Sequence, residues 1–322
     1  MKLRIILLTR PLAITACLAC CLLIQTNLYA QDSTASAKGV AAPAKTKPVK
    51  NTFQSIFIID NQSVMVPIKG TFEMDIMHRF GTVDKGYDDF WGLFASSNIR
   101  IGVDYAPINN LYIGLGIDKY EKLWDGSAKY AIIKQTKGKY PVSVTYYGDM
   151  AVDTRSDGDH SIFSHNTDRI SFFNQIIIAR KITDKLSLQV APSVTHQNSV
   201  NGYYTKNDTS GTTIFSAMKH DHFAIALSGR YKIGDATAIL LNYDQPITKH
   251  ATNNPSPNLS FGFEFSTSGH TFQVFMGNYS SLNPGKNNLF NTNSPFNYTQ
   301  ADGTNVKGGK FLIGFNITRL WN

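Results

Sequence analysis

Gly70-Thr71-Phe72-Glu73-Met74-Asp75-Ile76-Met77-His78-Arg79-Phe80-Gly81 is the stretch on which the fold turns. Phe72, Met74, Ile76 and Phe80 share one parity, and Glu73, Asp75, Met77 and Arg79 the other. An extended strand sends these two sets to opposite faces. On a lipid-facing surface an Arg or Lys costs about 2–4 kcal/mol at the midplane. The charged parity therefore points into a lumen and the apolar parity into lipid.

Moving outward, the same alternation recurs. Ile99, Ile101, Val103 and Tyr105 oppose Arg100, Gly102 and Asp104, and Leu111, Ile113, Leu115 and Ile117 oppose Tyr112, Gly114, Gly116 and Asp118. Val144 and Tyr146 oppose Thr145, Tyr147 and Asp149; Phe223, Ile225 and Leu227 oppose Ser228, Arg230 and Lys232. Phe261, Phe263 and Phe265 oppose Glu264, and Phe311, Ile313, Phe315 and Ile317 oppose Lys310, Gly314 and Asn316. Three segments, 128–136, 170–181 and 237–245, have ambiguous parity, and Ile176-Ile177-Ile178 is apolar on both faces. Turn-forming groups lie at 107–110, 136–138, 182–184, 234–235 and 267–269, whereas long connections cover 82–97, 120–127, 153–168, 197–220, 246–258 and 280–307. Short turns alternating with long loops over about twelve strands predict an all-β, antiparallel up-and-down transmembrane barrel with periplasmic turns and external loops. A soluble β-sandwich would alternate too, but needs no such contrast between turns and loops.

Upstream of the barrel, residues 1–30 read as a signal peptide. Lys2, Arg4 and Arg10 precede the apolar run Pro11–Ile24, and Leu28-Tyr29-Ala30 leads into Gln31 as a cleavage site. Ile14-Thr15-Ala16-Cys17 offers the competing reading of lipidation at Cys17. All three cysteines fall inside 1–30, so cleavage leaves no disulfide or thiolate site. Residues 31–51, rich in Ala, Ser, Thr and Pro, read as a disordered periplasmic tether, a candidate attachment point for a periplasmic partner. Residues 52–69 stay open among a luminal plug, an extra strand and a periplasmic piece. The net charge of +8 is concentrated upstream: 1–30 holds three basic residues and no acid, and 31–51 holds four against Asp32. The barrel's own excess is about two charges, which argues against nucleic acid.

The lumen-lining candidates are Glu73, Asp75, Arg79, Arg100, Asp104, Asp118, Asp149, Arg230, Lys232, Glu264 and Lys310. Their mixed signs fit a lumen closed by ion pairs or a narrow channel with a transverse field, rather than a one-signed ring. Catalysis is not expected. Thr195-His196-Gln197-Asn198-Ser199 invites comparison with outer-membrane phospholipase A, but that family's serine lies two residues after its histidine, where this chain has Asn198. His220-Asp221-His222, and the group Asp157, Asp159, His160 and His165, are candidate metal-ligating sets that a solvated loop explains more cheaply. No cofactor is expected. Tyr105, Tyr146, Trp124 and Trp321 read as interface anchors, and Asp88-Asp89-Phe90-Trp91-Gly92 as packing in an external loop.

His78-Arg79-Phe80-Gly81, Trp91-Gly92-Leu93 and Asn98-Ile99-Arg100-Ile101-Gly102, with Lys129-Tyr130, Lys134-Gln135, Pro192, His196 and Asn198, resemble a family of Gram-negative outer-membrane β-barrel proteins carrying only a domain-of-unknown-function label. The resemblance spans nearly all of 70–322. It implies a barrel in the outer membrane of a Gram-negative bacterium, in contact with its lipid, and supplies no substrate. The expectation is a porin-like barrel with a narrow polar lumen for small solutes. The alternatives are a closed structural or docking barrel and, third, an outer-membrane lipid hydrolase.

Overall fold

The computed structural model describes residues 47–158, 162–200, 202–207, 211–216, 218–250, 254–299 and 305–322. The signal reading at 1–30 and the tether through 46 lie outside them. The described chain begins with two short strands, β1 (Phe57–Ile58) and β2 (Asn61–Gln62). It continues through β3 (Phe72–Thr82), β4 (Asn98–Ile108), β5 (Leu111–Asp118), β6 (Leu123–Ile133), β7 (Ser143–Asp153), β8 (Ile170–Lys181) and β9 (Leu186–Gln197). A separate hairpin, β10 (Gly202–Asn207) and β11 (Gly211–Ser216), precedes β12 (Asp221–Lys232), β13 (Thr237–Pro246), β14 (Asn258–Ser266) and β15 (His270–Gly277). Helix α1 (Pro284–Phe290) and the pair β16 (Tyr298–Thr299) and β17 (Asn305–Val306) come before β18 (Leu312–Trp321).

Twelve of these strands, β3–β9, β12–β15 and β18, close into one antiparallel barrel, as the parity predicts. The ring is sealed where β18 pairs with β3, Phe315 opposite His78 and Ile317 opposite Ile76. Thr71 Oγ1 and Asn322 Oδ1, 2.6 Å apart, bring the two ends of the barrel sequence to the turn end of the barrel. Exposure follows the predicted alternation. Ile101, Val103, Leu115, Phe261 and Phe263 face outward, and Glu73, Asp75, Arg79, Asp118 and Glu264 are buried inside. Tyr105, Trp124, Tyr146 and Trp321 are all on the outer surface.

One boundary is corrected. Residues 120–127 are not a long loop: a three-residue turn, Tyr120–Lys122, joins β5 to β6, and β6 starts at Leu123. Gly126 and Ser127, inside the expected connection, pair within the sheet opposite Leu115 and Gly114. The ambiguity of 170–181 also resolves. Phe173, Ile177 and Ala179 point inward, and they meet protein rather than water.

That protein is residues 53–66. The chain enters at the turn end, where Val49 N donates to Gln135 O (2.7 Å) and Lys181 Nζ to Lys50 O (3.4 Å). It runs up the lumen, reverses through Ile59-Asp60 between β1 and β2, and returns to the same end. There Gly70 N donates to Ala106 O (2.8 Å) and Lys69 N to Asn109 Oδ1 (3.2 Å). Phe53, Ile58, Ile59 and Val64 pack in one cluster with Phe173, Ile177, Leu240 and Phe275 of the barrel wall. Each such apolar side chain taken from water contributes about 1.5–3 kcal/mol. A twelve-strand barrel is wider than the eight-strand kind that its own side chains fill, and the hairpin supplies the missing volume.

Candidate functional site

The lumen has two chemically different walls. One is an amide wall that holds the hairpin by its backbone. Gln273 accepts from Ile59 N (3.1 Å) and donates to Phe57 O (3.0 Å); Asn242 donates to Ile58 O, Asn316 to Ile59 O, and Gln189 to Gln62 O (2.7 Å). From the opposite side, Thr145 Oγ1 on β7 donates to Val64 O (3.0 Å) and Lys129 Nζ on β6 to Ile56 O (3.2 Å). Buried backbone groups need partners, and here the barrel side chains provide them. At the tip, Asp60 accepts from Tyr279 OH and from Asn242, while Asn61 donates to Asp244 Oδ1 (2.7 Å). Ile59 has φ +62°, a left-handed conformation that costs a β-branched residue about 1–3 kcal/mol.

The other wall, β3–β7, is acidic. Arg100 grips Asp125 with two bonds, Nε to Oδ2 (2.8 Å) and Nη2 to Oδ1 (2.6 Å), and turns Nη1 to Asp75 Oδ1 (2.8 Å). The fork geometry of guanidinium makes this bidentate pairing possible. Three glycines give these head groups room to lie against the sheet. A Cβ on Gly102 would stand 2.0 Å from Asp75 Oδ2, one on Gly114 2.0 Å from Asp104 Oδ1, and one on Gly116 2.1 Å from Arg100 Nη2. Gly116→Val is therefore expected to displace Arg100 and to lower stability by about 1–3 kcal/mol, as overpacking does. Urea unfolding of the barrel in lipid vesicles would show this as a lower midpoint. An unchanged midpoint would mean the guanidinium is not seated against the sheet.

Between this wall and the hairpin lies a cavity of about 20 Å³, lined by Asp60, Asp104, Asp125, Asp149 and Arg100 among others. It is large enough for a water molecule. Its loop-end boundary includes Asn283 and Pro284, and Asn283 Nδ2 donates to Asp149 Oδ1 (3.2 Å). The loop carrying α1 thus folds inward. Asn258 donates to Asn288 Oδ1 (3.0 Å) and accepts from Asn291 (2.8 Å), which pins that loop to β14.

Nine of the eleven lumen candidates lie on the inner face. Arg79 is fully buried, donates to Asn316 Oδ1 (2.9 Å) and lies over the Phe275 ring. Arg230 Nε pairs with Glu264 Oε1 at 2.7 Å. Lys232 and Lys310 are a correction: both are at the rims. Lys232 reaches exposed Asp235 beyond the end of β12, and Lys310 precedes β18 and faces Asp84 at 3.9 Å. Parity assigns a face but does not say where the spanning segment ends. Asp125, Lys129 and Asp244 are inner-face residues that the sequence reading passed over. Starting β6 at Leu123 would have placed Asp125 and Lys129 on the lumen parity.

The other candidate groups disperse. His196 points outward and pairs with Asp221 (2.8 Å), and Asn198 Nδ2 donates to Thr167 O. His220 Nδ1 is bonded to Gln197 O, whereas His222 faces inward and pairs with His250 Nε2 (3.2 Å). Burial, then Lys219, holds the His250 imidazole below its usual range, so this loop histidine accepts from Lys219 N as a neutral ring. Asp157 accepts from Ile162 N and Phe163 N; Asp159 and His160 lie outside the described residues. Among the described residues no group of three or more His, Cys, Asp or Glu could hold a metal ion. In the loop after β3, Asp89 accepts from Gly92 N (2.8 Å), and Tyr87, Phe90, Trp91 and Phe94 form an exposed aromatic group.

A closed strand ring with an apolar exterior and a polar interior defines a membrane-spanning β-barrel. The chain belongs to the family of membrane-bound beta barrel domains labelled DUF5777, whose model matches residues 53–321. That span includes the hairpin as well as the barrel. No curated protein matches the chain. Among solved structures, a NanC porin aligns over 77% of this chain and 98% of its own at 9% identity, with a TM-score of 0.42. A KdgM porin aligns over 78% and 99% at 9% identity, TM-score 0.42. The COG4313 outer membrane channel from Pseudomonas putida F1 aligns over 80% and 97% at 10% identity, TM-score 0.45.

Proposed function

We propose that this protein is a gated channel for small polar solutes in a Gram-negative outer membrane, with residues 53–66 as the gate. The observation that carries this reading is how the lumen is filled. The hairpin is held through its backbone by polar barrel side chains, and it enters and leaves through one end. Withdrawal toward that end leaves a wall of amides, hydroxyls and carboxylates that water can solvate. A permanently filled lumen would bury less polar surface at lower cost. The strained Ile59 at the tip favours release in the same direction.

The inward loop bearing α1 narrows the other end, consistent with passage of small solutes rather than polymers. The second reading, a closed docking barrel, draws on the attachment of Val49 and Lys50 at the turn end. Liposome swelling separates the two. A full-length variant with residues 53–66 replaced by an equal length of Gly and Ser is expected to admit small uncharged sugars faster than the parent protein. Equal rates for two equally inserted proteins would favour the docking barrel.

A further inference from the structure

We propose that the open lumen selects cations, so that the solutes passed are small cations, metal ions or organic amines, in preference to anions. This rests on the channel reading above and specifies its substrate class. The sequence suggests lumen charges of mixed sign. In the structure one wall is in acidic excess: Glu73, Asp75, Asp104, Asp118, Asp125 and Asp149 are all buried on the inner face of β3–β7, against Arg79, Arg100 and Lys129. On the remaining inner face Glu264 is matched by Arg230, and Asp244 adds one further carboxylate. The excess is therefore negative and lies mostly on one side of the lumen.

The three bases on the acidic wall are already committed: Arg79 donates to Asn316 Oδ1 and lies over the Phe275 ring. Arg100 is occupied by Asp75 and Asp125, and Lys129 donates to a hairpin carbonyl between Glu73 and Asp104. Asp104 and Asp149 face the small cavity beside the hairpin. Asp60, which also lines that cavity from the hairpin, carries an Oδ2 with no hydrogen-bond partner although the residue is 4% exposed. A buried surplus of carboxylate is costly unless a positive charge offsets it. The amide wall opposite carries Asp244 and the Arg230–Glu264 pair, and it binds the hairpin backbone through uncharged amides. Withdrawal of the hairpin opens a path with an excess of carboxylates along one side and mainly amide dipoles along the other. Acidic linings of this kind favour cation entry, and low-dielectric walls focus their field.

The test is the reversal potential of the full-length variant with 53–66 replaced by Gly and Ser, in a KCl gradient across a planar bilayer. Asn242→Ala/Gln273→Ala/Asn316→Ala gives an independent way to free the hairpin if the first variant inserts poorly. The expected result is a potassium preference of about tenfold over chloride, the lower end of the enrichment that charged clefts produce. That preference should shrink in high salt as the carboxylates are screened. Adding Asp104→Asn and Asp149→Asn should move the reversal potential toward zero while conductance persists. Current with chloride preference or no preference, or a reversal potential unmoved by the two substitutions, would overturn cation selection and leave the channel reading standing. Absence of current from inserted protein in both gate variants would remove both.

Discussion

Replacing Asn242, Gln273 and Asn316 together by alanine is expected to shift the hairpin from held to released by about a hundredfold, without unfolding the barrel. The three amides hold the backbone from Phe57 to Ile59, the turn that defines the tip. A net hydrogen bond contributes about 0.5–1.5 kcal/mol, and the four that these amides make with the hairpin backbone about 3 kcal/mol, in the lower half of that range. Every 1.4 kcal/mol is a factor of ten, which sets the hundredfold figure. The barrel ladder through β13, β15 and β18 is backbone-bonded and keeps its pairing. Hydrogen exchange would report faster exchange for 56–64 with unchanged protection in β7 and β9. If protection of 56–64 persisted in the triple variant, apolar packing of Phe53, Ile58 and Val64 would be what holds the hairpin, and backbone recognition would be incidental.

Arg100→Met is expected to cost about 3–5 kcal/mol, the usual consequence of removing one partner from a buried ion pair. Met fills much of the same volume, so the effect isolates the charge. Asp75 and Asp125, both nearly inaccessible, would be left without their cation in the barrel wall. Adding Asp75→Asn and Asp125→Asn to Arg100→Met should recover most of the loss, because neutral amides need no counter-charge. Arg100→Lys should be intermediate, since an ammonium cannot make the two-pronged contact with Asp125. Urea unfolding in vesicles measures all three. A loss below about 1 kcal/mol for Arg100→Met would place this pair with exposed salt bridges and remove it from the account of the acidic wall.

The barrel was legible in the sequence because lipid imposes a strict rule. Wherever the lumen is lined by charge, as along β3 and β4, alternation assigns each face without further information. The rule weakened where protein rather than water fills the lumen. Phe173 and Ile177 on β8 and Leu240 on β13 face inward against the hairpin, so those strands are apolar on both sides and their parity looks ambiguous. That ambiguity was itself the trace of a luminal segment, and residues 52–69 were the segment without a place. Asp125 was hidden for a different reason: it fell within 120–127, read as a long connection, although β6 already begins at Leu123. The inward fold of α1 depends on Asn258, Asn283 and Asn288 meeting across distant segments, and no local pattern records such contacts.

The central claim is that residues 53–66 close a lumen that otherwise conducts. Single-channel recording tests it most directly, comparing the full-length protein with the variant whose residues 53–66 are replaced by Gly and Ser, each shown to be inserted in the same bilayer. The account predicts rare or no openings from the parent and frequent, discrete steps of uniform size from the variant. Silence from both, or the same steps from both, would contradict it.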